Sequence, residues 1–143
     1  KLISAFGCRL IGYDPVVNDS NHFELVSLDA LLRDSDIISL HLPYVEQTHH
    51  LLNVSRLRAM KSGAIVVNAA RGGLIDEQAL VDCLLDGHIA GAALDCFEEE
   101  PYDGPLKKIE NVVLTGHIGS YAREGRMMME AQAVDNLLSE LVF

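Results

Sequence analysis

The segment Thr115-Gly-His-Ile-Gly119 carries a histidine, and Glu98-Glu-Glu-Pro101 supplies carboxylates a short way upstream. A carboxylate that holds one nitrogen of an imidazole orients the ring and raises its proton affinity, so such a pair can protonate a developing alkoxide. The alternative for His117 is a packed, hydrogen-bonded core histidine; for Glu98 and Glu99 the preferred reading is a solvated acidic loop. Asn68-Ala-Ala-Arg-Gly-Gly73 is the sharpest local signal. Its small residues let backbone approach a ligand closely, and Gly72-Gly73 permits a turn with positive φ. That turn would present Arg71, whose guanidinium can hold a carboxylate through two parallel hydrogen bonds. The alternative is a surface arginine in a turn. Asp14, followed by Pro15, either accepts hydrogen bonds from ribose hydroxyls, which favours NAD over its 2′-phosphorylated form, or closes an ordinary Asp-Pro turn.

These residues need elements to position them. Arg9–Asp14, Ile37–Leu42, Ala64–Asn68, Gly91–Asp95 and Asn111–Thr115 read as short strands, several of them apolar nearly throughout, as strands buried on both faces are. Between them lie helical signals. Ser27 caps a helix carrying Leu28, Leu31 and Leu32; Asp76 caps another with Ala79, Leu80, Cys83 and Leu84 on one face and Gly87 as its stop. From about Ser120 a longer helix aligns Met127, Ala131, Val134, Leu138 and Leu141, and Lys1–Phe6 reads as the tail of a helix. Strand and helix in alternation mean an α/β fold with a parallel sheet. Ligands of such sheets bind outside the carboxyl ends of the strands. Asp14, His41, Asn68–Arg71, Asp95 and His117 all fall at or just after a predicted strand end. Chance would scatter them.

Composition narrows the classes. The 143 residues carry 11 Lys+Arg against 21 Asp+Glu, a net charge of −10, with no basic run, which argues against binding to a nucleic-acid backbone. An apolar share of 49% supports a real core, and no stretch approaches a membrane span or a signal peptide. Cys8, Cys83 and Cys96 are odd in number and scattered, which excludes a disulfide framework and suggests reduced thiols in the cytosol. His22, His49, His50 and His88 show no metal-ligand spacing, so no metal site is expected.

The ordered motifs Ala5-Phe-Gly, Ile11-Gly-Tyr-Asp-Pro15, Ser35-Asp-Ile-Ile-Ser-Leu-His-Leu-Pro43, Asn68-Ala-Ala-Arg-Gly-Gly-Leu-Ile-Asp76, Ala92-Ala-Leu-Asp95, Glu100-Pro101 and His117-Ile-Gly119 resemble the D-isomer-specific 2-hydroxyacid dehydrogenases. Within that family the likeness points to the members acting on 3-phosphoglycerate in serine biosynthesis. The resemblance implies Arg71, Glu100 and His117 as catalytic residues, with hydride exchanged between NAD and C2 of the acid. It implies cofactor contacts from Asp14, His41, Leu42, Pro43, Ala69, Ala70, Arg71, Asp95, His117, Gly119 and Ser120, with Asp95 facing the nicotinamide carboxamide. Gly116 stands where the family usually has proline, which loosens the backbone before His117. The implied fold is a doubly wound, Rossmann-like parallel sheet lacking its first strand and glycine-rich phosphate loop. Residues 1–119 read as a partial NAD-binding domain and 120–143 as a crossover helix towards a substrate domain. The expectation is a cytoplasmic homodimeric enzyme of small 2-hydroxy or 2-keto acids, with this chain alone inactive. The rival reading is a non-catalytic, NAD(H)-sensing dimeric scaffold like the corepressors of the same fold.

Overall fold

In the computed structural model, residues 3–141 are described. Parallel strands alternate with helices: β1 (Ile11–Gly12), β2 (Glu24–Leu25), α1 (Leu28–Asp34), β3 (Ile37–Leu40), α2 (Val54–Ala59), β4 (Ala64–Asn68), α3 (Glu77–Leu85), β5 (Ile89–Leu94), β6 (Val112–Leu114) and α4 (Arg123–Leu141). Strands β3, β4, β5 and β6 lie in that order in one all-parallel sheet. Strands β1 and β2 form a separate parallel pair.

The caps act where the sequence places them. Ser27 Oγ accepts from the Ala30 N–H at 3.2 Å to start α1, and Asp76 Oδ1 accepts from the Ala79 N–H at 3.0 Å to start α3. Gly87, at φ 78°, follows the last turn of α3. Four elements depart from expectation. Helix α2 is only 6 residues long, too short to show a period; its one signal is Asn53, whose Oδ1 accepts from the Arg56 N–H at 3.1 Å. Strand β2 is 2 residues, and β1 keeps only 2 of the residues assigned to the first strand. Ile3–Phe6 is a 3-10 turn rather than the end of an α-helix, and Lys1 lies outside the described residues.

The sheet has one covered face. Ile38, Val66, Ala92 and Val112 stand in one register row, and Leu40, Asn68, Leu94 and Leu114 in another; both rows are buried or nearly so. Helices α1, α2 and α3 touch in succession and build the core with Leu32, Leu57, Leu80 and Leu84. The alternate residues Ile37, Ile65 and Val113 are exposed, so among the described residues the apolar runs are buried on one face and not on both. Helix α4 begins at Arg123, carries the expected stripe through Leu141 and buries none of its residues; Phe143 lies outside the described residues. Helical spacing specifies an amphipathic face, but burying that face takes a second surface.

Candidate active site

Parallel register sets the strand ends side by side: Leu40 pairs with Asn68, Asn68 with Leu94, and Leu94 with Leu114. The residues that leave these strands therefore start along one edge. The site is assembled from the loops that follow.

After β4, Asn68 is buried to 1% exposure and splints the next turn from inside. Its Oδ1 accepts from the Ala70 N–H at 3.0 Å and its Nδ2 donates to the Arg71 carbonyl at 2.8 Å. Arg71 points outward, and its Nη1 donates to the Ala70 carbonyl at 2.6 Å. The glycines after it do not serve a positive φ, as expected from sequence; they serve space. Neither Gly72 nor Gly73 has positive φ, and both lie in a 3-10 turn. A Cβ on Gly72 would sit 1.9 Å from the carbonyl carbon of Phe97, and one on Gly73 would sit 2.6 Å from the Tyr44 ring. The Arg71 turn is thus pressed directly onto the backbone that leads to Glu100.

His41, Leu42, Pro43, Ala69, Ala70 and Arg71, with Tyr44, line one open cavity of about 510 Å³. The alanine methyls leave backbone accessible at the carboxyl edge of a parallel sheet, where a dinucleotide is held. These residues fit NAD. His41 is oriented by its Nε2 contact with Ser39 Oγ at 2.8 Å. Tyr44 escaped the sequence reading because its position in a polar loop carries no pattern.

The His117 loop hangs on Asp95. Oδ1 of Asp95 accepts from Thr115 Oγ1 at 2.5 Å and the Ile118 N–H at 2.9 Å, while Oδ2 accepts from the Gly119 N–H at 2.9 Å. Burial pushes this carboxyl up, but the hydrogen bonds from Thr115, Ile118 and Gly119 outweigh it and hold the group below its ordinary value. Both oxygens of Asp95 thus hold the loop, two donors on Oδ1 and one on Oδ2, and a carboxylate has about four acceptor positions. His117 itself adopts φ 56°, a left-handed conformation that costs a non-glycine residue on the order of 1–3 kcal/mol. A methyl added at Gly116 would meet nothing within 4 Å, and the residue has no positive φ, so neither space nor backbone conformation demands glycine there.

Across the loop, His117 Nδ1 meets both oxygens of Glu100, at 3.0 and 2.9 Å. This is the pairing anticipated from residue type. The bond from His117, then that from the Phe97 N–H at 3.1 Å, lowers the Glu100 carboxyl from its ordinary value. With Nδ1 held, Nε2 is the nitrogen left to face a substrate oxygen.

Not every expected residue joins this edge. Asp14 is exposed, and its Oδ1 accepts from the Val16 and Val17 N–H groups at 2.8 and 3.1 Å, which lowers its pKa. These bonds build a turn through one of the two carboxylate oxygens, on a strand pair with no ladder to the main sheet. Ser120 is exposed beside Gly119. Glu98 and Glu99 are exposed, as expected of a solvated acidic loop, and Glu98 Oε1 also meets His50 Nε2 at 2.9 Å. Among the described residues no group of histidine, cysteine and carboxylate side chains could hold a metal ion. Cys8, Cys83 and Cys96 are free, and burial pushes the Cys96 thiol up to about 11.

The model of the "D-isomer specific 2-hydroxyacid dehydrogenase, NAD binding domain" family matches residues 1–119. The chain belongs to this family. A glyoxylate reductase of Thermofilum pendens is 44% identical over 99% of the chain and 44% of its own length. A hydroxypyruvate reductase of Thermotoga maritima is 40% identical over 99% of the chain and 48% of its own. Among solved structures, an acyclic imino acid reductase in complex with NADPH and D-Arg superposes with a TM-score of 0.91 at 35% identity, over 98% of this chain and 45% of that one. The 2-hydroxyacid dehydrogenase domain thus spans a little under half the length of these relatives. Its cofactor is NAD by family, its fold is the family's parallel α/β domain, and among the described residues no helix is long and apolar enough to cross a membrane.

Proposed function

We propose that this domain serves an oxidoreductase that reduces a small 2-keto acid, of the glyoxylate or hydroxypyruvate kind, to the 2-hydroxy acid, of D configuration where C2 is a stereocentre. The observation that carries the reading is the His117–Glu100 pair, set by the strand register on the edge that also presents Arg71. The names of the relatives favour glyoxylate and hydroxypyruvate over the 3-phosphoglycerate first expected from the sequence.

When bound, NADH supplies the hydride that reaches C2. His117 Nε2 gives its proton to the oxygen on C2, so keto acid, hydride and proton together make the hydroxy acid. Glu100 keeps Nδ1 and stabilises the charged ring before transfer. Arg71 clamps the substrate carboxylate and polarises the keto oxygen. His41, Leu42, Pro43, Ala69 and Ala70 hold the dinucleotide through backbone, Asp14 takes the ribose through its second oxygen, and Gly119 and Ser120 close over the site. Asp95 holds that closing loop and also faces the nicotinamide carboxamide. A cytosolic homodimer completes the proposal.

The test uses the protein that carries this domain. His117→Ala should cut turnover of glyoxylate with NADH by about 10²–10⁴-fold while leaving NADH affinity within a small factor. Unchanged turnover would remove the acid–base assignment. If wild-type protein turns over neither glyoxylate nor hydroxypyruvate, 3-phosphoglycerate-dependent reduction of NAD is measured next. Failure of all three, with NADH-dependent capture of a partner, would favour the scaffold reading.

A further inference from the structure

Glu77, the first residue of α3, lies outside the residues given a role above, yet its carboxylate is partly withdrawn from water. It is half-buried, and its Oε1 accepts from the Glu98 N–H at 2.8 Å. Burial raises its carboxyl, and the neighbouring Glu98 and Glu99 charges push the same way. Three carboxylates gathered so closely oppose folding unless the arrangement secures something. His50 answers part of the repulsion, with Nε2 at 2.9 Å from Glu98 Oε1. His50 is itself fixed at φ 46° by its N–H bond to the Gly73 carbonyl at 2.8 Å and by stacking on His49 at 3.8 Å.

Glu98 is therefore gripped at its backbone by Glu77 and at its side chain by His50. The turn so gripped runs directly into Glu100. On its near side, Phe97 stacks on Tyr102 at 4.4 Å and donates its N–H to Glu100 Oε1. Gly72 presses on the Phe97–Glu98 peptide from the Arg71 turn. We infer that Glu77 is a positioning residue for Glu100: through the Glu98 N–H it fixes the turn that aims the Glu100 carboxylate at His117. The inference rests on the proposed pairing of Glu100 with His117 and extends it to α3. The rival role for Glu77, a negative charge complementing the start of α3, predicts the opposite response to mutation.

The experiment is a carboxyl NMR titration of Glu100 in this chain as wild type, Glu77→Ala and Glu77→Gln. Removing a negative charge acting through space would lower the Glu100 midpoint. Loss of positioning would weaken the His117 bond and raise it towards the ordinary carboxylate range. An upward shift in Glu77→Ala, restored by Glu77→Gln because glutamine keeps the acceptor oxygen, supports the inference. An unmoved or lowered midpoint in Glu77→Ala, or an upward shift in Glu77→Gln equal to that in alanine, overturns it. Amide exchange of wild type gives a check that needs no variant to fold: the Glu98 N–H must be protected, and exchange at the rate of an open loop overturns the inference too. Turnover that survives His117→Ala would sink the proposed reaction while leaving this titration result standing.

Discussion

At the scale of single residues, the site depends on carboxylates that hold its loops in place. Asp95 holds the Thr115–Gly119 loop, and its lowered pKa has a defined consequence. A group whose folded pKa is depressed adds stability that is present above its unfolded value, about 3.9, and is lost as pH falls through the lower folded value. The Asp95 carboxyl carbon should therefore titrate below about pH 3.9, and the Gly119 amide should follow that step. A Gly119 amide that ignores the Asp95 transition would detach the loop from this anchor. Asp95→Asn tests the same anchor: its amide nitrogen cannot accept from the Gly119 N–H, so exchange of that amide should accelerate while the Asn68–Ala70 turn is untouched. Glu100 and His117 were legible from residue type and motif. The splint formed by Asn68 and the grip of His50 on Glu98 were not, because both bonds depend on where loops fold back.

At the scale of elements, spacing and caps account for most of what forms. Ser27, Asp76 and Gly87 mark α1 and α3 in the sequence because caps are local chemistry: a side-chain oxygen meets an amide two or three residues on. Helix α2 obeys the same rule through Asn53, with too few residues to show a face. Asn53→Ala should cost about 1 kcal/mol of stability by chemical denaturation, and a cost near zero would mean α2 is held by Leu57 alone. The Arg71 turn makes the larger claim. Gly72→Ala places a methyl on the Phe97 peptide, at distances no real contact shows, so the two loops must part. The expected cost is about 1–3 kcal/mol or more, together with weaker substrate binding as Arg71 moves relative to Glu100. Normal stability and normal KM would show that the turn tolerates displacement.

At the scale of the molecule, one covered sheet face carries the stability. Leu80 is fully buried between α3 and the sheet, and Leu80→Ala should destabilise by about 2–5 kcal/mol, read from denaturant midpoints. The other face, with Ile37, Ile65 and Val113, and the apolar stripe of α4 stand exposed in the chain. The proposed homodimer is checked by sedimentation over a range of concentrations. A species at twice the monomer mass supports it, and a monomer throughout the micromolar range opposes it.

Hydrophobic runs, turn residues and cap positions carry the parallel α/β class, the order of the main elements and the strand-end placement of Arg71, Asp95 and His117. Each follows from periods and contacts a few residues long, which a linear pattern can record. The grip on Glu98, the spatial need for Gly72 and the hold of both Asp95 oxygens on the His117 loop come from segments distant in the chain meeting across space. Such contacts depend on which backbone atoms end up adjacent once the sheet closes its register, and no local run of residues encodes that.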